Sequence, residues 1–228
     1  MTMQKADYNP ALIDWEGLTP EVIQEIAEQL VLFHDEFDEA FCRVEQTVLG
    51  QYYLQGLLGK VSRKNVEAMA IEYLGGSRVR ALQSFMTSYR WDDLVMLSRA
   101  KRRLAGLIAE ENGMMTLDGS DIPKKGKESV GVGRQYCGNT GKRDNCQAGV
   151  FLGYTGSKGY GLLDRALYMP RAWFTPEYEE RRKKCRVPED LEFRTKNQIG
   201  LELISNALDT GLFPSGWVGF DASFGSDS

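Results

Sequence analysis

Two aspartates close short apolar runs that lie far apart in the chain. Asp118 follows Met114, Met115, Thr116 and Leu117, and Asp118-Gly119 is a turn signal, so the pattern predicts a strand that stops with the carboxylate at its C-terminal end. Trp217, Val218, Gly219 and Phe220 form a second apolar run, closed by Asp221. A strand-end carboxylate is placed to bind a hard cation through oxygen. Two of them brought together repel unless a cation neutralises them, which makes Mg²⁺, with Mn²⁺ as substitute, the natural occupant. Such an ion activates water or a 3′ hydroxyl for attack on a phosphodiester, so the expected chemistry is phosphoryl transfer. Basic residues in the neighbouring segments, Lys124, Lys125, Lys127, Arg134, Lys142, Arg143 and Lys196, are the candidates to hold a DNA backbone by charge without reading its sequence. Taken singly, Asp118 is more often a turn residue and Asp221 a strand-end cap than a ligand, whereas the Lys124 to Lys127 cluster reads equally as a solvated loop.

The elements that must bring these residues together can be traced in order. Val130, Val132 and Tyr136 alternate with small or polar residues, Asn139-Thr140-Gly141-Lys142 is a turn, and Gln147 to Tyr154 and Gly161 to Tyr168 are strands joined by a glycine-rich hairpin. These make an antiparallel meander with the first strand. Pro170 to Cys185, with its EERRKK run, reads as an exposed helix, and Ile199, Leu203, Ile204, Ala207 and Leu208 form a helical stripe that stops at Gly211. A helix between two strands of one sheet is a crossover, which returns the chain parallel to an earlier strand. If the Trp217 strand lies beside the Met114 strand, Asp118 and Asp221 share the mouth of the sheet, where ligands commonly bind. Tyr136, Tyr154, Tyr168 and Trp173 read as packing residues rather than base-stacking ones.

Ahead of this region the chain is helical. Thr19-Pro20 starts a helix whose apolar stripe continues to Phe41. Further helical segments run from Gln46 to Leu58, interrupted by glycines, from a Ser62 cap to Leu74, from Val79 to Met86, and from Leu94 to Ile108. Leu12, Ile13 and Trp15 are placed to dock on a helical neighbour. The expected fold class is mixed α/β, with a helical N-terminal domain over residues 1–112 and a sheet domain over residues 113–228. Arg99, Lys101, Arg102 and Arg103 read as a helix's solvated face, and His34 as a surface or helix-packing residue.

With 28 basic against 32 acidic residues the net charge is −4, which argues against a uniformly basic nucleic-acid coat, but the acidic excess lies in the helical half. Cys42, Cys137, Cys146 and Cys185 show no CxxC pair and have His34 as their one imidazole, a poor zinc set. They fit reduced thiols in a cytoplasmic protein, and the apolar runs are too short to span a bilayer.

The stretch DGSDIPKKGKESVGVGRQYCGNTGKRDNCQAGVFLGY resembles the insertion-sequence transposases of the DDE superfamily, as do LLDRALYMPRAW, RVPEDLEFRTKNQIGLELI, GWVGFDASFG and, in the helical half, RVEQTVLGQYYLQGLLGKVSRKNVEAMA. The resemblance implies a ribonuclease-H-like catalytic domain over residues 113–228, in part only, and a helical domain that holds DNA ends. It implies a Mg²⁺-dependent enzyme that cuts transposon terminal inverted repeats and joins them to target DNA, DNA-associated in the cytoplasm and forming homo-oligomers. The family's first catalytic aspartate corresponds to Asp118, with Ser120 in place of its following Thr or Ser, and its second to Asp221; Asp121 ranks below Asp118. Gly119 and Ala222 stand where the family often carries additional acids. The family's third acid, a glutamate beyond the second aspartate, has no counterpart, since no Glu follows Asp221. The expectation is therefore a truncated transposase, inactive on its own, or a non-catalytic DNA-binding remnant that regulates transposition.

Overall fold

Three helix starts in the N-terminal half are set by side chains, those of Thr19, Asn65 and Asp92, that satisfy the first free N–H groups. The structure, a computed structural model, describes residues 19–225, so the docking expected of Leu12, Ile13 and Trp15 lies outside the described residues. Thr19 caps α1 (Pro20–Asp35), its hydroxyl accepting from the Val22 N–H, with Pro20 in the first turn. α2 (Val44–Leu58) runs unbroken through Gly50 and Gly56, against the expectation that glycines interrupt it. The reason is packing. A Cβ at Gly50 would lie 2.9 Å from the Phe41 ring, and one at Gly56 would lie 2.7 Å from Met69, so both glycines admit neighbours to the helix axis. α3 (Val66–Leu74) is capped by Asn65, not Ser62, and ends at Gly75 with φ 80°.

α4 (Val79–Thr87) and α5 (Asp93–Ile108) complete the helical part. Leu49, Met69, Ala70, Leu82 and Phe85 form its core, with Phe41 and Trp91 against them. The Gln46 side chain accepts from Cys42 N and donates to Arg90 O, closing this unit with polar ties. Contacts divide the chain into two compact units at residues 1–99 and 100–228, so the division falls inside α5. The residues of α5 beyond it belong with the sheet. Leu104 rests on Gly161, and Lys101 donates to Asp164 over 2.6 Å with both side chains largely buried. Among the described residues no helix is long and apolar enough to cross a membrane.

The second unit is a five-stranded mixed sheet. β1 (Met114–Pro123), β3 (Lys142–Gly156) and β4 (Gly159–Tyr168) are the antiparallel meander, while β2 (Gly133–Cys137) pairs with the first residues of β3. Strict alternation in β3 buries Cys146, Ala148, Val150, Leu152 and Tyr154 on one face. α7 (Lys196–Asp209) covers that face. Thr195 and Gln198 form a reciprocal capping box at its start, Ile199, Leu203 and Ala207 point into the sheet, and Gly200 lets Leu117 approach to where a Cβ would clash. The crossover delivers β5 (Trp217–Phe220) parallel to β1 at the sheet edge, giving the order β2-β3-β1-β5 with β4 on β3. Helices and mixed sheet together are the mixed α/β class expected for a ribonuclease-H-like domain.

Two local expectations are corrected. Asp118-Gly119 does not stop β1, because pairing with β3 carries the ladder on to Pro123, opposite Cys146. A ladder of backbone hydrogen bonds here overrides a two-residue turn signal. The Pro170 to Cys185 segment is not one exposed helix but two 3-10 turns (Arg171–Phe174 and Pro176–Tyr178) leading into the short α6 (Glu179–Lys184). Trp173 anchors it, fully buried with Val132 and Met169 and donating its indole N–H to Val132 O over 2.8 Å.

Candidate functional site

Parallel pairing of β1 with β5 runs in register from Met114 opposite Trp217 to Leu117 opposite Phe220. The next residues on the two strands are Asp118 and Asp221, and adjacent strands run about 4.8 Å apart. Asp118 lies within β1 but at the point where its parallel partner ends, so the ladder leaves the two residues side by side at the end of the paired segment. Both are exposed. The Asp118 Oδ1 accepts from the Gly119 N–H over 2.7 Å. The Asp221 Oδ1 accepts from the Ser223 N–H and hydroxyl, over 2.9 and 2.6 Å, and thereby caps a 3-10 turn at Ala222–Phe224.

The Ser223 hydroxyl holds the Asp221 carboxyl below its ordinary range, with weaker help from backbone N–H groups and from Lys196, so the group is an anion at neutral pH. Each aspartate thus has one oxygen fixed by a hydrogen bond and a second without one among the described residues. Hard oxygen donors of this kind fit Mg²⁺, which keeps several waters and takes one or two carboxylates from the protein.

Two cysteines of this unit are poor thiolate ligands. Cys137 and Cys146 are buried, and burial, reinforced by the neighbouring Cys137 thiol, pushes the Cys146 thiol up to about 11. Among the described residues one group of three side chains converges closely enough to hold a metal ion, His34, Asp35 and Asp38 in the helical unit. His34 is a packing residue there, 5 % exposed and stacked on Phe41. Its Nδ1 lies 3.8 Å from Asp38, while Nε2 has no hydrogen-bond partner. A metal-bound imidazole ordinarily donates its other N–H to an acceptor, which this one lacks.

The basic residues separate by environment. Lys125 and Lys127 are exposed in the loop after β1, which Asn145 braces by donating to the carbonyls of Lys124 and Gly126. Arg134 pairs with Asn145 and Tyr136 with Arg143 across β2 and β3. Cross-strand partners share a face, so Arg134, Tyr136, Arg143 and Asp118 all lie on the side of the sheet turned away from α7. Lys142 is exposed at the start of β3. Tyr154 and Trp173 are packed as expected, but Tyr136 is 64 % exposed, because β2 has no covering element on that face. Of the arginines and lysines expected on a solvated helix face, Arg99 is paired with Glu39 and Lys101 with Asp164.

Lys196 differs from the other basic residues. Its Nζ lies 3.9 Å from the Asp121 Oδ1 and 5.5 Å from the centre of the Tyr168 ring. Asp121 accepts from the Gly138 N–H through Oδ2, and its Oδ1 is buried with no hydrogen bond. Asp121 lies four residues, two strand repeats, after Leu117, which faces α7, and that spacing was the sequence signal that could have placed it there.

Residues 36–228 match the family model described as DDE superfamily endonuclease. No curated protein and no solved structure matches the chain.

Proposed function

Since this chain belongs to the DDE superfamily endonucleases, we propose that it serves DNA transposition, with Asp118 and Asp221 as the two carboxylates of a metal-dependent phosphoryl-transfer site. The observation that carries this reading is the in-register parallel pairing of Leu117 with Phe220, which makes the two aspartates lateral neighbours. When bound, Mg²⁺ or Mn²⁺ would supply charge neutralisation and activation of the attacking oxygen. The chain's own residues do the rest. Gly119 N–H and Ser223 fix one oxygen of each carboxylate, which leaves the other available to an ion. Lys124, Lys125, Lys127, Arg134, Lys142 and Arg143 hold the DNA backbone by charge, at the end of the sheet toward which both strands run. The DNA would be transposon terminal inverted repeats and target DNA, held by a homo-oligomer.

A second reading is favoured by one observation: no third acid converges with Asp118 and Asp221 among the described residues. On that reading the protein binds DNA ends without cutting them. Incubation of supercoiled DNA with the chain and Mg²⁺ or Mn²⁺ separates the two. Catalysis requires metal-dependent nicking that Asp118→Asn and Asp221→Asn each abolish while DNA affinity stays within about twofold, because backbone attraction does not depend on these carboxylates. Binding without nicking establishes the second reading, and nicking that survives either substitution overturns the site assignment.

A further inference from the structure

The face of the sheet turned away from α7 is laid out in rows by cross-strand pairing. Trp217 of β5, Met114 of β1, Thr155 of β3 and Tyr160 of β4 are successive partners, so they form one lateral row across four strands. Trp217 is 73 % and Tyr160 83 % exposed, and neither ring meets another aromatic ring among the described residues. The next row is Gly219, Thr116, Gly153 and Leu162, and the row after it joins Asp118 to Phe151 and Arg165. Glycines flatten this surface. A Cβ at Gly219, Gly153 or Gly149 would stand 2.2–2.9 Å from Met114, Thr116 or Phe151 respectively, so the glycines let these three side chains fold down onto the sheet.

The other end of the same face is basic. Asn145 and Gln147 hold the loop after β1 against it by donating to the carbonyls of Lys124, Gly126 and Val130, and Arg134 and Arg143 stand on the adjoining hairpin. Asp118 lies between the two ends, four strand residues or about 13 Å from the aromatic row.

A surface of this make-up fits unpaired nucleotides. Base faces stack on Trp and Tyr without regard to sequence, and sheets that present aromatic rings on an open face bind single strands. A duplex hides its base faces within its own stack and has little to offer these rings. A protein partner fits less well, since an apolar cover would bury the Asp118 carboxylate without a counter-charge. A nucleic-acid strand keeps the face wet and meets the arginines with its phosphates.

We propose that this face is a platform for single-stranded DNA, on which Trp217 and Tyr160 stack bases that flank the phosphate at Asp118, while Arg134, Arg143 and the loop after β1 hold the backbone beyond it. The inference deepens the phosphoryl-transfer reading of Asp118 and rests on it. It gives the site a direction: the strand runs along β1, with stacked bases toward Met114 and gripped phosphates toward Pro123.

Anisotropy of a fluorescein-labelled oligothymidylate, and of a duplex of equal length, titrated with the full chain in EDTA tests the inference without metal. Trp217→Ala and Tyr160→Ala should each weaken single-strand binding by roughly 5- to 100-fold, the loss of one stacked base, and leave duplex binding unchanged. Trp217→Phe, which keeps a ring, should recover most of the loss, and Asp118→Asn should not weaken binding. Tyr160 lies beside the β3–β4 turn with its ring in solvent, so its variant tests the platform even if Trp217→Ala frays the edge strand.

Single-strand affinity unchanged in both alanine variants overturns the inference. Equal losses for single strand and duplex also overturn it, because stacking on unpaired bases would not be their source. A dimer in sedimentation that Trp217→Ala dissociates, with single-strand binding unchanged, overturns it and assigns the face to a second copy. Nicking that survives Asp118→Asn, by contrast, overturns the metal-site reading, and with it the alignment on Asp118, whatever the oligonucleotide shows.

Discussion

Replacing Tyr154 by Phe should loosen the joint that sets β1 beside β5. The Tyr154 side chain is almost fully buried, and its hydroxyl lies 3.1 Å from Glu110 N, 2.9 Å from Glu110 O and 2.8 Å from Pro214 O. A hydroxyl has one proton and two lone pairs, so it accepts from the Glu110 N–H and donates to one carbonyl at a time. Glu110 precedes β1 and Pro214 precedes β5, so this one oxygen ties together the approaches to both aspartate-bearing strands. A second tie, Gly216 N–H to Gly113 O at 3.0 Å, runs beside it.

The Phe variant keeps the ring and its packing on Phe213, whose centroid is 5.1 Å away, and removes the polar atom alone. Leaving buried partners unsatisfied costs about 1–3 kcal/mol. At the middle of that range, melting of a unit of this size falls by roughly 5–10 °C. Urea unfolding followed by circular dichroism measures the loss. A second variant, Gly113→Ala, should mimic it, because a Cβ there would sit 1.8 Å from the Tyr154 hydroxyl. If both variants act by breaking the same joint, the double variant costs less than the sum. A loss below about 0.5 kcal/mol in Tyr154→Phe would refute the reasoning, since it would mean that the hydroxyl's partners do not depend on it.

Two other perturbations follow from the packing. Gly200→Val should destabilise the sheet unit by about 1–3 kcal/mol through overpacking, since even its Cβ would lie 2.4 Å from Leu117. Adding Leu117→Ala should recover part of the loss, and urea midpoints that show no recovery would place the clash elsewhere. Burial holds His34 below its ordinary value of 6.5, against the opposing pull of Asp38 and Asp35, so the folded chain prefers the neutral imidazole. Its contribution to stability is therefore fully present above pH 6.5 and falls as the pH drops from there toward the lowered folded value. Thermal melts of wild type and His34→Gln should diverge less at pH 5.5 than at pH 7.5; parallel curves would exclude the imidazole as the cause.

Much of the path to the site could be read without coordinates because it rests on local physics. Alternation in Gln147 to Tyr154 and the helical stripe from Ile199 to Leu208 depend on neighbours a few residues away. So does the rule that a strand, a helix and a strand close a parallel pair. What could not be read depends on partners distant in the chain. Asp118-Gly119 has the composition of a turn, yet β3 supplies hydrogen bonds that extend β1 five residues beyond Asp118, to Pro123. Trp173 lies within a charged segment, and its burial follows from the carbonyl of Val132, which no spacing announces. Tyr136 has the same aromatic character as Tyr154, but nothing covers its face of β2.

By itself the sequence determined the strands that carry the two candidate aspartates and the helix between those strands, because periodicity and capping are encoded over a few residues. Tertiary structure decided which charges are committed. Lys196 and Lys127 are alike as residues, but α7 sets one over a buried carboxylate oxygen, whereas the loop after β1 leaves the other exposed. A charge's role depends on its distance from other charges and from water, and both distances are fixed only when the chain has folded.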